Sequence, residues 1–414
     1  MSIAGLETQR LVNTEHAIVE RSGFGGQTMR LAVFSHKVCW TSASSPSGYV
    51  TDGGFPFQMS ALSELFDKTT LVIPCSRGEE PTGVSPVSGR HLSVRPLTLP
   101  RGRGLWRKLF LPAWFLRNGA VIVREVLRAD AVHAPIPGDI GTIGMLLAFI
   151  LRKPLFVRHC GNWLVEKTVA EQFWKWFMER FAGGKQVMLA TGGSLQSPSE
   201  RNSAIRWIFS TALTENQLQS CQIRRERPAK NALRLIIACR QDVEKGAGVV
   251  IESLPLIFRS FPGAHLDVVG DGLALPEFKK QASSLGVEEF VTFHGRVDHK
   301  LVLKLLQRAD VFCYPTAASE GFPKIVLEAL ACGLPVITTR VSVLPQLINT
   351  GCGVLLNERT PSALADALES ILLDADVYRT TSDRASETAR EYSLERWRDT
   401  VGELLRAAWS PGTF

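Results

Sequence analysis

A chain of 414 residues with 45% hydrophobic and 21% charged residues is too long for one ordinary core and too apolar for disorder on a large scale, so two or three domains are expected. The formal charge of +7 is unevenly spread: Lys and Arg outnumber Asp and Glu by 28 to 17 over residues 1–230, whereas the remainder has 19 against 23. A basic front half favours an anionic partner, whether a nucleic acid, an acidic substrate or a membrane surface.

Residues 1–28 are polar and lack the apolar core of a secretory signal, so they are expected to be a disordered leader or an upstream start. From Met29 onward short β-rich runs alternate with amphipathic stretches, the pattern of parallel sheets with helices on both faces. Strands are expected at Arg30–Ser35, Thr70–Ile73, Ala131–His133, Pro154–Arg158 and Gln186–Ala190, with helices at Pro56–Phe66, Leu111–Leu127 and Val165–Phe181. The longest apolar run, Ile140 to Leu151, is too short to span a bilayer and reads as a buried helix. Asn216–Lys230, polar and rich in Arg, reads as a linker. Beyond it, strands are expected at Leu233–Cys239, His265–Val269, Val291–Phe293, Val311–Tyr314 and Pro335–Thr339. The eight cysteines show no C-x-x-C pair and read as reduced core thiols of a cytosolic protein. The fold class is therefore α/β, with two doubly wound domains.

In open parallel sheets ligands bind beyond the carboxyl ends of the strands, and three such places carry chemistry. After the strand ending near Tyr314 comes Ser319-Glu320-Gly321-Phe322-Pro323-Lys324, running on through Glu328 to Pro335. Pro323 suits a first helical turn, whose free N–H groups around Gly321–Lys324 would welcome an anion. Glu320 and Glu328 stand eight positions apart, at most ~12 Å if helical, so they could hold opposite ends of one elongated polar ligand. After the strand Leu233–Cys239 come Arg240 and Lys245, cations able to neutralise a departing diphosphate without a metal. A third, weaker place is Val268-Val269-Gly270-Asp271-Gly272, followed after the next strand by Phe293-His294-Gly295-Arg296. Leu275 stands where a dinucleotide-binding turn wants Gly or Ala, so an NAD site is not expected.

The Glu320 to Glu328 stretch resembles the Glu-Gly-Phe-Pro, seven-spacer, second-Glu motif of the retaining glycosyltransferases of family 4, which have the GT-B fold of two Rossmann-like domains facing a cleft. The resemblance implies that Glu320, Gly321, Phe322 and Pro323 line the donor sugar site and that Glu328 holds the ribose, while the helix end at Gly321–Lys324 is expected to clamp the donor diphosphate. It implies a pyrophosphate clamp of Arg240 and Lys245, with Cys239 in place of the usual glycine, and a nucleotide base near Gly295. Gly53 and Gly54 resemble the paired glycines of the opposite wall, and His159 falls where the family often places a His near sugar and acceptor; His133 ends a neighbouring strand. Tyr392 to Trp397 resembles the closing helix that packs back on the first domain. Ser342-Val343 and Gln346 depart from a usual glycine pair and Glu. The resemblance spans about residues 30–400 and is strongest from Ala238 to Leu356.

The implied domains are an N-terminal acceptor-binding domain over 29–215, a linker over 216–230, a C-terminal donor-binding domain over 231–390 and a closing helix within 391–414. The expected reaction is sugar transfer from a nucleotide-diphosphate sugar to an acceptor hydroxyl with retention, in bacterial surface glycan or glycolipid synthesis. No cofactor or metal is expected: Asp374-Ala375-Asp376 reads as a helix terminus, and no His/Cys cluster has zinc spacing. Rival readings are a nucleotide-sugar epimerase or sugar phosphorylase of the same fold, or a non-catalytic sugar-nucleotide-binding module. Nucleic acid is not expected, for want of stacking motifs amid the basic residues. Residues 101–117 carry five cations, two Trp and two Phe without an acid, which suits either a core helix after a basic loop or contact with an anionic membrane. The location expected is the cytoplasm, peripheral to the inner face of the membrane, with a glycan or lipid-linked saccharide as acceptor.

Overall fold

The computed structural model describes residues 28–410 except 82, 103, 167, 195 and 320, so the expected leader, but for its last residue, lies outside the described residues. The front sheet contains β1 (Arg30–Phe34), β2 (Cys39–Thr41), β3 (Tyr49–Asp52), β4 (Lys68–Ser76), β5 (Val84–Pro86), β6 (Leu92–Leu97), β7 (Ala131–Ile136), β8 (Leu155–His159), β9 (Gln186–Thr191) and β10 (Arg206–Ile208). Its order is β10-β9-β8-β7-β1-β4-β2-β3-β5, with β6 also paired to β4. The central strands are parallel, as the alternation predicts, but β2–β3 and β3–β5 pair antiparallel. These edge strands have three or four residues, too few for a period to show in the sequence.

The back sheet contains β11 (Arg234–Ala238), β12 (His265–Val269), β13 (Val291–Gly295), β14 (Val311–Tyr314), β15 (Val336–Thr339) and β16 (Gly353–Leu356). All pairs are parallel, in the order β13-β12-β11-β14-β15-β16. Runs such as Leu235–Ala238 and Val311–Tyr314 are wholly buried, which is why they lack alternation: helices cover both faces. The order reverses between β11 and β14, the switch point where a crevice opens beyond the strand ends.

The helix Leu394–Trp409 follows the back domain in sequence but completes the front core. Its Leu394, Trp397, Val401, Leu405 and Trp409 pack with Leu31, Val33, Leu62 and Phe156. Arg158 of β8 lies over the Trp397 ring at 5.3 Å and donates through Nη2 to Gln58 Oε1 at 2.9 Å. The two passages between domains run side by side: Leu394 N donates to Leu213 O at 2.8 Å, and Glu215 N to Glu395 Oε2 at 2.9 Å.

The Arg-rich linker segment is anchored. It opens with the helix Glu215–Cys221, after which Arg225, buried, donates to the carbonyls of Leu306, Gln307, Ala309 and Cys332. Arg227 donates to those of Leu372 and Leu373. These carbonyls end three helices of the back domain, so part of the front-half cationic excess caps helix C-termini rather than awaiting an outside anion.

Other expectations are corrected in detail. The helix expected at Leu111–Leu127 spans Gly104–Arg128 with Pro112 inside it. The one expected from Val165 starts at Val169, because Thr168 and Glu171 form a capping box. Cys160 is exposed, unlike the buried Cys39, Cys221, Cys313, Cys332 and Cys352. Asp374 caps the helix Ala375–Arg390, accepting from the backbones of Asp376 and Val377.

Candidate functional site

β11 delivers the chain at Ala238 into a loop held against the end of β12. Gln241 Nε2 donates to the carbonyls of Cys239 and Val269 at 3.0 and 2.9 Å, and the Gln241 backbone N–H to Asp271 O at 3.0 Å. So close a fit requires glycine at 270, whose φ is +112° and whose Cβ would stand 1.9 Å from Cys239 O. On this platform a short turn, Val243–Lys245, points Lys245 inward. Its ammonium is mostly buried, and burial lowers its pKa. Arg240 sits on the rim with its side chain 74% exposed and its Nε 2.5 Å from Asp242 Oδ2.

β14 delivers Gly321–Lys324 to the same crevice. The helix is Lys324–Ala331 with Pro323 at its N-cap, one position earlier than a first-turn proline. Glu320 lies outside the described residues. Glu328, a buried residue of that helix, meets His299 Nε2 at 3.1 Å through Oε1, and this bond raises the His299 pKa. Together these groups surround a cavity of about 1260 Å³, lined among others by Arg240, Lys245, Arg296, His299, Phe322, Pro323, Lys324 and Glu328.

The front domain closes over this wall. A Cβ at Gly54 would lie 2.5 Å from Lys324 Nζ, and one at Gly321 only 2.8 Å from Gly161 O. Burial lowers the Lys324 pKa, the Arg158 charge adding to it. Gly53 stands beside Lys37, which pairs with Asp52 at 2.5 Å. His159 ends β8 two residues before Gly161 and is buried; its ring meets Trp163 edge-on at 5.4 Å. Desolvation pushes its pKa down to about 4, so near neutral pH it is an uncharged donor or acceptor. Its Nδ1 has no partner among the described residues. His133 lies deep in the sheet, stacked on Phe156 at 4.1 Å with Nδ1 3.0 Å from Phe156 O; burial pushes it to about 3.

Gly295 ends β13 and accepts the Gly270 N–H at 2.8 Å, which places its neighbour Arg296 in the cavity wall. Sequence reading passed over His299 and named Arg296 only within the stretch after β13, with no role of its own. The signal available was position: both follow the end of β13, and His299 opens a helix capped by Asp298. Ser342, in place of a glycine, keeps a left-handed backbone at φ +54°, and Gln346 faces Gly193 of the front domain.

Residues 209–392 match the family model of glycosyl transferases group 1. The chain is 34% identical over 149 residues to glycogen synthase of Mycobacterium tuberculosis, covering 36% of each chain. It is 29% identical over 174 residues to phosphatidyl-myo-inositol mannosyltransferase of Mycobacterium leprae, covering 42% of this chain and 45% of that one. These matches thus span under half of either relative. In structure it resembles Anabaena Alr3699/HepE in complex with UDP and glucose, with a TM-score of 0.67 at 18% identity over 92% of this chain and 99% of that one. It also resembles sucrose-phosphate synthase from Thermosynechococcus elongatus, with a TM-score of 0.66 at 17% identity over 91% and 98%. At such identities the likeness is one of fold. The protein has the GT-B fold, two α/β domains facing a cleft. The family match lies within the C-terminal half, on the domain that carries the cavity.

Proposed function

We propose that this chain is a retaining glycosyltransferase of family 4 that moves a hexose from a nucleotide-diphosphate sugar to an acceptor hydroxyl, in bacterial surface glycan or glycolipid synthesis. The observation that carries the reading is the convergence of Lys245, Arg240, Glu328 and the N-terminus of the helix Lys324–Ala331 on one cavity within the stretch that matches the group 1 family model. Relatives named for glycogen synthesis and mannosyl transfer, and a fold neighbour holding UDP and glucose, support a hexosyl donor.

The acceptor oxygen bonds to the anomeric carbon on the face from which the diphosphate leaves. The bond from that carbon to the phosphate oxygen breaks with its electron pair, and the acceptor proton passes to the departing phosphate. Lys245 and Arg240 take up the charge that develops there, with no metal in the scheme. Arg240 exchanges Asp242 for the diphosphate. Glu320 and the backbone of Gly321–Pro323 hold sugar hydroxyls, Glu328 the ribose, and neutral His159 orients sugar or acceptor.

The enzyme works at the cytoplasmic face of the membrane. The helix Gly104–Arg128 supports this with one exposed stripe of Trp106, Leu109, Phe110 and Leu116. Trp114 belongs to the core, its Nε1 donating to Thr98 O at 2.7 Å, and Phe115 packs against that core; Arg107 pairs with Asp139 at 2.6 Å. Among the described residues no helix is long and apolar enough to cross a membrane.

The test is product analysis with uridine and guanosine diphosphate hexoses and glycan acceptors, anomeric configuration read by NMR. Transfer with inversion, donor epimerisation, phosphorolysis or binding without turnover each overturns it.

A further inference from the structure

The front domain carries a second hollow, of about 840 Å³, outside the donor cavity. Its walls are the loop after β8, the loop after β9 and one face of the helix Val169–Phe181, so it opens at the carboxyl ends of strands, where parallel sheets present ligands. Trp163 joins it to the cleft: the Trp163 ring meets His159 edge-on at 5.4 Å, and its Nε1 donates to Pro198 O, on the hollow's wall, at 2.7 Å. One aromatic ring separates the hollow from the residue expected beside the transferred sugar.

The lining is chemically selective. Trp176 is 53% exposed and offers an apolar ring face, while Gln172, Gln196 and Ser197 offer amide and hydroxyl groups. The lining cations are matched: Lys175 pairs with Glu166 at 2.5 Å and Arg201 with Glu179 at 3.3 Å. Ser199 Oγ also donates to Glu179 Oε1 at 2.8 Å. With Glu200 also in the wall, three carboxylates stand against two cations among the described lining residues, a balance that disfavours a phosphate or carboxylate. An indole face with hydrogen-bonding groups around it suits a pyranose, whose C–H face is apolar and whose rim is hydroxyls.

We infer that this hollow binds a neutral saccharide unit of the acceptor, with Trp176 as the stacking platform and Gln172 reading its hydroxyls. The inference rests on the transferase reading and adds the acceptor class to it.

The test is a glycan array of neutral gluco-, manno- and galacto-oligosaccharides beside uronate and phosphorylated ones, probed with the full chain in the presence of UDP and of GDP. Neutral glycans are expected to be retained, with affinity falling about ten-fold in Trp176→Ala and in Gln172→Ala and recovering in Trp176→Phe. Retention confined to anionic glycans, equal retention by Trp176→Ala, or no retention overturns the inference. So does a Trp176→Ala variant that loses vesicle binding in place of glycan binding. The nucleotide-induced thermal shift, read on the same samples, separates the two readings: absent from the parent protein, it counts against the transferase itself; present beside a failed array, it counts against the hollow alone.

Discussion

The His299 imidazole stands 3.1 Å from the Glu328 carboxylate, so the residue expected to hold the ribose is itself held by a titratable group. The pair makes His299 easier to protonate than a free histidine. Its contribution to stability is full below the unfolded pKa of about 6.5 and is lost as pH rises through the raised folded value. An NMR titration should place His299 above 6.5, and Glu328→Gln should lower it and weaken nucleotide diphosphate binding. A His299 titration unmoved by Glu328→Gln would count against the pair.

Lys245→Ala should reduce turnover by ~10²–10³ while the protein stays folded, because the ammonium is set at the developing charge before the donor arrives. Steady-state kinetics together with a thermal melt decide this. Parent-like turnover in the folded variant removes Lys245 from the clamp.

His133 and His159, pushed down to about 3 and 4, are neutral in the fold and protonate when unfolding exposes them. The unfolded chain then binds more protons below about pH 6.5, so stability should fall as pH drops from there towards 4 and below. Urea midpoints across that range give the slope. His133→Gln should flatten it; an unchanged slope assigns the acid sensitivity elsewhere.

Gly270→Ala should destabilise by about 1–3 kcal/mol, since the new methyl meets the Cys239 carbonyl on a backbone at φ +112°. It should also loosen nucleotide binding, because the Arg240–Lys245 loop rests on that contact. Gly54→Ala meets the flexible end of Lys324 at 2.5 Å and the Ala212 Cβ at 3.0 Å but no backbone atom, and should be milder in chemical melts.

Flotation with anionic vesicles should recover the protein at low salt and lose it as salt rises. Trp106→Ser and Leu109→Ser together should abolish recovery. Equal recovery in the soluble fraction under all conditions sinks the membrane proposal and leaves the transferase reading standing.

Most of the back domain was legible because strands such as β11 and β14 are unbroken apolar runs buried on both faces; β16, partly exposed at the sheet edge, was not expected. The short antiparallel strands β2, β3 and β5 were not, being shorter than any period that could reveal them. His299 was missed because its partner Glu328 lies far along the chain and only packing brings them together. Trp106 and Trp114 were not told apart because 106, 110, 114, 118 and 122 form one i+4 series, and only packing leaves Trp106 exposed while it buries Trp114. The linker arginines pointed outward in the sequence, and only the structure supplies the carbonyls they serve.

The helix Leu394–Trp409 has a consequence for how the protein is made. The front domain is synthesised first, yet the cluster that includes Leu31, Leu62 and Phe156 lacks part of its cover until the helix Leu394–Trp409 leaves the ribosome. That domain must wait, with an apolar face open, while the back domain folds on its own local β-α units. Completion of the front core therefore waits on synthesis of the back domain, and truncation near residue 393 harms the domain whose own stretch of sequence the cut leaves intact.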